Sequence, residues 1–289
     1  DNVVLRLSCA NGHLPVVHFL ATHFGLTARD VPELACTSMT SALGWACTNG
    51  HLAVLQFLAA HFKLTADDAR AGDNAALRTS CANGHLPVAR FLATHFGLTA
   101  GDARAKDNYA LRRSCEHGHL RVVRFLAGHF GLTARDARAD NNYALRKSCE
   151  NGHHRVAQFL AEHLGLTAED ARADNNYALR MSCENGHLPV VQFLATHFKL
   201  TAEDARAADN VALRRGCQNG HLPVVQFLSE HFQLTAEDAR SGKKHTPLYW
   251  SCDGGHLPLL EFLVARFNLS AKDARAGNNS ALRKSCQKG

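Results

Sequence analysis

Residues 141–174 read NNYALRKSCENGHHRVAQFLAEHLGLTAEDARAD, and residues 175–208 repeat most of them as NNYALRMSCENGHLPVVQFLATHFKLTAEDARAA. The cysteines show that this register extends along the chain, because nine of the ten recur at intervals of 34 residues with two exceptions. They are Cys9, Cys47, Cys81, Cys115, Cys149, Cys183, Cys217, Cys252 and Cys286. A fixed period of this length predicts stacked repeats, each of which buries its apolar face only against its neighbours.

The period divides residues 1–289 into one predicted array. Repeats start near residues 1, 39, 73, 107, 141, 175, 209 and 244, and a partial repeat covers 278–289. Template position 1 is the first residue of each repeat. The first repeat carries an insertion around residues 31–38 and the seventh has one extra residue near Gly242. Both fall between predicted helices, where insertions cost least.

The sequence pattern of each repeat predicts two helices. Template positions 3 to 11 form the first, with Leu, Ser and Cys at positions 5, 8 and 9 on one face. Glycine at position 12 suits a left-handed helix end, and a proline often follows in the first turn of the second helix, where its missing N–H costs little. The second helix is apolar on nearly every side and therefore lies between neighbours. All fifteen phenylalanines fall on it, at positions 19 and 24, and are expected in the core.

A third signal follows the second helix. Thr or Ser at position 27 precedes Asp by three residues in each complete repeat, as in Thr27 to Asp30 and Thr167 to Asp170. This spacing is typical of a capping box, in which the two side chains satisfy free N–H groups at the start of a helix. Each connector between repeats is therefore predicted to contain a short helical turn.

The pairing of Gly with His at positions 12 and 13 distinguishes between families of helical repeats. It occurs in all eight complete repeats and precedes an aliphatic run such as residues 188–194. The eighth repeat adds Thr246-Pro247-Leu248, and the tetratricopeptide signature is absent. These features resemble the ankyrin-repeat family over all 289 residues. The resemblance implies an all-α, ankyrin-type repeat solenoid of stacked helix pairs.

Two departures from the family pattern are present. Most repeats read Ala-Leu-Arg where the family has Pro-Leu-His, and the connectors look helical where the family builds β-hairpins. The resemblance also implies that Cys at position 9 replaces a small buried alanine. The histidine at position 13 is similar to the family's histidine that hydrogen-bonds between helix ends.

The spacing of the cysteines argues against disulfides. Equivalent residues of packed helices lie about 8 to 10 Å apart, beyond the roughly 7 Å that a disulfide allows between Cα atoms. We therefore expect a reducing compartment, the cytoplasm or the nucleus. No Cys-x-x-Cys pair accompanies the histidines, so no metal site is predicted.

Positions 3, 6, 7 and 10 form one stripe of the first helix, opposite its Leu-Ser-Cys face. We call this stripe the first-helix face. Its residue types vary between repeats and include all the Tyr and Trp residues, which are enriched at protein interfaces. It predicts a concave face on which a partner contacts Trp45, Tyr109, Arg113, Tyr143, Lys147, Tyr177, Met181, Arg215, Tyr249 and Trp250. The alternative is structural: Arg113 pairs with Glu116, and the tyrosines cover neighbouring arginine side chains.

Recurrent arginines leave two further functions open. Position 6 carries Arg6, Arg78, Arg112, Arg146, Arg180, Arg214 and Arg283, and position 32 carries Arg70, Arg104, Arg138, Arg172, Arg206, Arg240 and Arg275. An anionic ligand such as nucleic acid would use Arg112, Arg146, Arg180 and Arg214. Because aspartates recur at position 30 and the net charge is only +6, ion pairing between repeats is favoured over a nucleic-acid surface. The third function is a rigid spacer between domains.

The sequence gives no support for catalysis. It contains no Gly-rich phosphate loop, nucleophile elbow or His-Glu-x-x-His motif. We predict a non-enzymatic scaffold without a cofactor, which is monomeric, does not enter a membrane and binds another protein. The start at Asp1 without an initiator methionine leads us to expect a fragment of a longer protein.

Overall fold

The computed structural model describes residues 3–27, 41–242 and 245–276, together with residues 279, 281 and 283, and their regular structure is α-helical throughout. The helices run in chain order as α1 (Val3–Ala10), α2 (Leu14–His23), α3 (Ala42–Thr48), α4 (Leu52–His61), α5 (Ala66–Ala82), α6 (Leu86–His95), α7 (Ala100–Ala103), α8 (Ala105–Glu116), α9 (Leu120–Phe130), α10 (Ala134–Ala137), α11 (Ala139–Glu150), α12 (His154–Leu164), α13 (Ala168–Glu184), α14 (Leu188–His197), α15 (Ala202–Gln218), α16 (Leu222–His231), α17 (Ala236–Arg240), α18 (Pro247–Gly254), α19 (Leu257–Phe267) and α20 (Ala271–Ala274).

The chain divides into two compact units. The first unit comprises Asp1–Ala144 with His163–Gly165, and the second comprises Leu145–Glu162 with Leu166–Gly289. Within the first unit, α1, α3, α5 and α8 pack in sequence, and α2, α4, α6 and α9 form a second row. Within the second unit, α13, α15 and α18 pack in sequence and α14 packs on α16. This arrangement confirms the predicted all-α, ankyrin-type stacking of helix pairs.

Leucine and cysteine of the first helices form the centre of each stack. Leu77 at position 5 and Cys81 at position 9 are 0% exposed, as are Val88 and Leu92 of the second helix. Each fully buried leucine contributes about 1.5 to 3 kcal/mol relative to an exposed one.

The phenylalanine prediction is only half right. At position 24 the rings from Phe62 onward are buried, but at position 19 most rings are only partly covered. The reason is that position 19 points to the outer side of the second helix, where Phe91 stacks on His95 at 4.6 Å between ring centroids. In the first repeat, both Phe19 and Phe24 are exposed.

The turn between the two helices of a repeat is the Gly-His junction, formed by template positions 11 to 13. Its glycine adopts a left-handed conformation, as at Gly50 with φ of 79°. Its histidine reaches back to the preceding repeat: the Nε2 atom of His51 lies 2.9 Å from the carbonyl oxygen of Ala10. Asn49 donates to the same oxygen at 2.7 Å. The expected role of this histidine is confirmed, and the structure adds that the bond joins two repeats.

The connector between repeats begins with the predicted helical turn. Both halves of the capping box are present at Thr65, Thr99, Thr133, Thr167, Thr201, Thr235 and Ser270. The first motif, Thr27 to Asp30, extends outside the described residues. The predicted helical connectors are therefore confirmed wherever the structure describes the whole motif.

Five of the connectors then make a left-handed turn of three residues. All have φ between about 50° and 61° at residues 72–74, 106–108, 140–142, 174–176 and 208–210. Such angles are costly for residues other than glycine. The arginine at position 6 holds the turn: the Nε of Arg180 donates to Asn175 O at 2.8 Å and its Nη2 donates to Asp174 O at 3.0 Å.

Candidate functional site

The predicted partner-binding residues all lie on first helices, namely α3, α8, α11, α13, α15 and α18. Trp45 is 38% exposed and Arg215 is also exposed. Seven others are half-buried: Tyr109, Arg113, Tyr143, Lys147, Tyr177, Met181 and Trp250. The Leu-Ser-Cys side of the same helices is buried, so the two faces differ as expected.

Tyr249 is the exception among the predicted contact residues, because its side chain is buried. It is 8% exposed and lies within ring contact of His245 and Trp250 at 4.9 and 5.2 Å. Tyr249 occupies position 6, where every other repeat except the second carries arginine. Its ring therefore joins this aromatic cluster, of which Trp250 remains partly exposed.

In the first unit, Arg113, Glu116 and Tyr143 form a closed group that we call the first triad. Arg113 Nη1 donates to Glu116 Oε2 at 2.5 Å and to the Tyr143 hydroxyl at 3.1 Å. The Tyr143 hydroxyl donates to the same carboxylate oxygen at 2.9 Å. The tyrosine from position 3 of one repeat is thus joined to positions 7 and 10 of the preceding repeat.

The second unit contains the same arrangement in Lys147, Glu150 and Tyr177, the second triad. Lys147 Nζ lies 2.5 Å from Glu150 Oε2 and 3.3 Å from the Tyr177 hydroxyl. Tyr177 donates to Glu150 at 2.7 Å. Lysine replaces arginine without changing the connectivity.

Electrostatics follow from these contacts. Burial alone would raise the pKa of Glu116, but the hydrogen bonds from Arg113 and Tyr143 outweigh it and hold the pKa below its usual value. The pKa of Tyr177 is raised, first by burial and then by its hydrogen bond to Glu150. The bases of both triads gain a raised pKa from the hydrogen bond to their glutamate. The Arg113–Glu116 pair of the first triad therefore stays charged at neutral pH.

Arginines at position 6 cover the tyrosine rings. The guanidinium carbons of Arg78, Arg112 and Arg146 lie 5.0 Å from the ring centroids of Tyr109, Tyr143 and Tyr177, respectively. This distance is within the range of cation–π attraction. The structural alternative from the sequence, with Arg113 on Glu116 and tyrosines against arginine side chains, is therefore present.

The face changes after the second triad. Met181 and Val211 occupy the positions of the base and the tyrosine, while Glu184 keeps the position of the acid. Arg215 donates through Nη1 to Gln218 at 2.9 Å, and its Nε lies 3.8 Å from Glu184 Oε2. A third triad does not form here.

The arginines of the alternative anion site serve the connectors. Arg112, Arg180 and Arg214 donate to carbonyl oxygens of the left-handed turns, and Arg146 donates to Asp174 at 3.1 Å. At position 32, Arg104 binds Asp136 and Arg206 binds Asp238, each through two hydrogen bonds. The predicted ion pairing between repeats is confirmed at these positions.

Sequence reasoning missed two features of the surface. One is the stacking of position 23 histidines on position 19 phenylalanines, as for Phe193 and His197 at 4.9 Å. Its signal was the four-residue spacing of the two rings on one helix. The other is the role of the position 10 glutamates as the centre of each triad, which their recurrence in three consecutive repeats could have indicated.

Seven of the eight described cysteines are buried, and Cys252 is half-buried. Every cysteine that the structure describes carries a free thiol, and burial raises the pKa of the Cys81 and Cys149 thiols to about 12. Among the described residues, no group of three or more His, Cys, Asp or Glu side chains is placed to hold a metal ion. No helix in the same ranges is both long enough and apolar enough to span a membrane.

Comparison with known families identifies the repeat. A family model for ankyrin repeats in three copies matches residues 113–209, about a third of the chain, and includes both triads. Residues 113–209 are therefore ankyrin repeats, and this match supports an ankyrin-repeat family. A search of the curated proteins found no match. Ankyrin repeats are generally protein–protein interaction modules and typically non-enzymatic scaffolds.

Proposed function

We propose that this protein is a scaffold that binds another protein through the first-helix face. The contact residues are Trp45, Tyr109, Arg113, Tyr143, Lys147, Tyr177, Met181, Arg215 and Trp250. Tyr249 acts indirectly by packing against Trp250. We further propose that residues 1–289 form one array of repeats, and that the protein is a monomer of the cytoplasm or the nucleus, where its free thiols stay reduced.

One observation carries the proposal: the first helices bury Leu, Ser and Cys but leave Tyr, Trp, Arg and Lys partly exposed in equivalent positions. Because the triads and the cation–π contacts fix these side chains before a partner arrives, binding loses little side-chain entropy. Rigid, partly exposed aromatic and basic groups are the residue types that dominate the binding energy of interfaces.

The anion-binding alternative receives less support from the geometry. Arg112 and Arg146 each have only 15% of the side chain exposed and bind an aspartate. A nucleic-acid surface needs cations that are free to contact phosphates.

The test is affinity capture from a cell lysate followed by reconstitution with the purified partner. We expect capture by the wild type and loss in a Trp45→Ala/Tyr143→Ala/Trp250→Ala variant. Removal of interface aromatics costs about 1 to 2 kcal/mol or more each, so the affinity measured by calorimetry should fall at least about tenfold. A partner bound electrostatically would instead dissociate steeply with added salt.

The matched control is a Gln158→Ala/Gln192→Ala variant, which changes exposed residues on the second helices of two repeats, α12 and α14. It should keep full affinity for the partner. Circular dichroism and thermal unfolding establish that both variants are folded. Equal capture by the two variants would remove the first-helix face as the binding site.

A further inference from the structure

Three consecutive repeats carry glutamate at template position 10, but only two of these acids are neutralised closely. Glu116 and Glu150 each lie 2.5 Å from a basic side-chain nitrogen and accept a tyrosine hydroxyl. Both are mostly covered, with 17% and 21% of the side chain exposed. The third acid, Glu184, is covered almost as well, with 26% exposed.

The surroundings of Glu184 lack the two groups that complete a triad. Met181 stands where Arg113 and Lys147 stand in the earlier repeats, and Val211 stands where Tyr143 and Tyr177 stand. Within the described ranges, the nearest cation is Arg215, whose Nε lies 3.8 Å from Glu184 Oε2. That separation exceeds a normal hydrogen bond.

Arg215 has its hydrogen bond elsewhere, because its Nη1 donates to Gln218 at 2.9 Å. In the part of the chain that the structure describes, no side chain donates a hydrogen bond to the Glu184 carboxylate. A mostly covered carboxylate without hydrogen-bond donors has lost some hydration, and the protein compensates it only through the longer ion pair with Arg215.

We propose that Glu184 is the acceptor for a cationic side chain, arginine or lysine, of the partner protein. The incoming cation takes the place that Arg113 and Lys147 hold against their own glutamates. Met181 offers an adaptable apolar side chain at the position next to the acid on the helix, where the aliphatic part of the cation can lie. This inference rests on the proposed function, since it specifies the chemistry of the partner at the same face.

The inference also divides the first-helix face into two kinds of position. In the first and second triads, the charge of the acid is satisfied within the protein, so a partner cation gains little there. At Glu184 the protein supplies only the ion pair with Arg215 at 3.8 Å, so a partner cation that donates a hydrogen bond gains more there. A partner is therefore expected to place one basic residue opposite the sixth repeat.

The test uses the full chain labelled with carboxyl carbon-13 glutamate and observed by NMR. The probes are N-acetyl-arginine amide, N-acetyl-lysine amide and the neutral isostere N-acetyl-citrulline amide. We expect the Glu184 signal to move saturably with at least one of the two cations and not with citrulline. The Glu116 and Glu150 signals, assigned through Glu116→Gln and Glu150→Gln variants, should move at least fivefold less.

Two variants make the result specific. Met181→Lys supplies a cation from the chain itself and should weaken probe binding at least tenfold. Gln192→Lys adds the same charge on an exposed second-helix position and should leave probe binding unchanged. Thermal unfolding of both variants confirms that the fold is retained.

Equal movement of all three glutamate signals, no saturable movement at Glu184, or a response to citrulline would overturn the inference. So would full probe binding by Met181→Lys. These outcomes can be distinguished from those of the proposed function. If no probe binds at Glu184 but the Trp45, Tyr143 and Trp250 substitutions still abolish partner capture, the inference is wrong and the proposed interaction face stands. If a cationic probe binds at Glu184 but the protein captures no partner, the cation site stands and the proposed function is wrong.

Discussion

The Gly-His junction and the connector both join helices and both tie one repeat to the next, but they do so by different means. The junction needs one left-handed glycine, and the backbone carbonyl at position 10 of the preceding repeat accepts from its asparagine and histidine. The connector uses charged side chains: a capping-box aspartate, an arginine from the preceding repeat and a second arginine on the left-handed turn.

The comparison shows that a tight turn can be stabilised by the absence of a side chain or by the presence of several. Glycine removes the conflict at the junction. In the connector, ordinary residues adopt positive φ, and hydrogen bonds from position 6 arginines offset the cost. Four predictions examine this difference, from the largest expected effect to the smallest.

Acid should destabilise both the Gly-His junctions and the connectors, and the connectors should lose more folding stability. Burial alone would raise the pKa of Asp136, Asp204 and Asp238, but hydrogen bonds from arginine and threonine outweigh it and lower each pKa. Their contribution to stability is therefore complete above the unfolded pKa of about 4 and is lost as pH falls through the lower folded values. Burial also lowers the pKa of His187 at a junction, so its contribution is lost below about pH 6.5.

Chemical unfolding as a function of pH measures both stages. His187→Gln should remove part of the first loss, and Asp204→Asn should remove part of the second. A stability that is flat between pH 7 and pH 2.5 would contradict the assigned electrostatics.

Substitution of Gly220 by alanine should disrupt a junction. The residue has φ of 74°, and an added Cβ would lie 2.6 Å from Nδ1 of His256, whose Nε2 is 3.0 Å from Gln218 O. Backbone strain and overpacking together should cost about 2 to 4 kcal/mol in urea unfolding.

Gly97→Ala is the matched control for that change. Gly97 also has a positive φ of 61°, but nothing lies within 4 Å of an added Cβ. Only the backbone cost of about 1 kcal/mol should remain. Equal losses in the two variants would show that the histidine ring adds nothing to the requirement for glycine.

Loss of a position 6 arginine should weaken one connector. Arg180→Gln removes two hydrogen bonds to the carbonyl oxygens of Asp174 and Asn175. We expect a cost of about 1 to 2 kcal/mol from a charged donor that leaves two acceptors, measured by urea unfolding. Arg121→Gln, on an exposed part of α9, should change stability by less than about 0.5 kcal/mol.

Glycine should stabilise the left-handed turn where alanine now stands. Ala208 has φ of 53°, and the equivalent residue of the second repeat is already glycine, Gly72. Ala208→Gly is expected to gain up to about 1 kcal/mol from relief of strain, seen as a small rise in the unfolding midpoint. Ala212→Gly, inside a regular helix, should lose about 1 kcal/mol; a loss of similar size at Ala208 would show that the turn is not strained.

The sequence predicts the junction well because its signals are local. Glycine before histidine marks the helix end, and the threonine–aspartate spacing marks the capping box; both conclusions need only neighbouring residues. The left-handed turn was not predicted, because its support comes from an arginine five or six residues after the carbonyl groups that it binds. The repeated Asp-Asn or Asn-Asn pair, as at Asn175 and Asn176, was the available signal, since both residue types favour left-handed conformations.

The candidate site was predictable at the level of the helix face and not at the level of contacts. Spacing placed Tyr143 and Arg113 on the same stripe, but their meeting at Glu116 depends on the offset between neighbouring repeats. The burial of Tyr249 was not predicted for a related reason. It follows from the rings of His245 and Trp250 around it, and no other repeat has this set of residues in its sequence.

The backbone carbonyl at position 10 accepts hydrogen bonds from the Gly-His junction of the next repeat. This has a consequence for gene rearrangement. In the first unit, Asn83 donates to the carbonyl oxygen of Thr48, and in the second unit Asn219 donates to that of Glu184. Both bonds link residues 35 positions apart. Unequal crossing-over that removes or duplicates one whole period joins every donor to an equivalent acceptor, because the acceptor is a main-chain oxygen that any codon supplies. A rearrangement that is out of phase separates donors from acceptors. Selection for folding therefore favours recombination in whole periods and leaves the exposed side chains free to diverge afterwards.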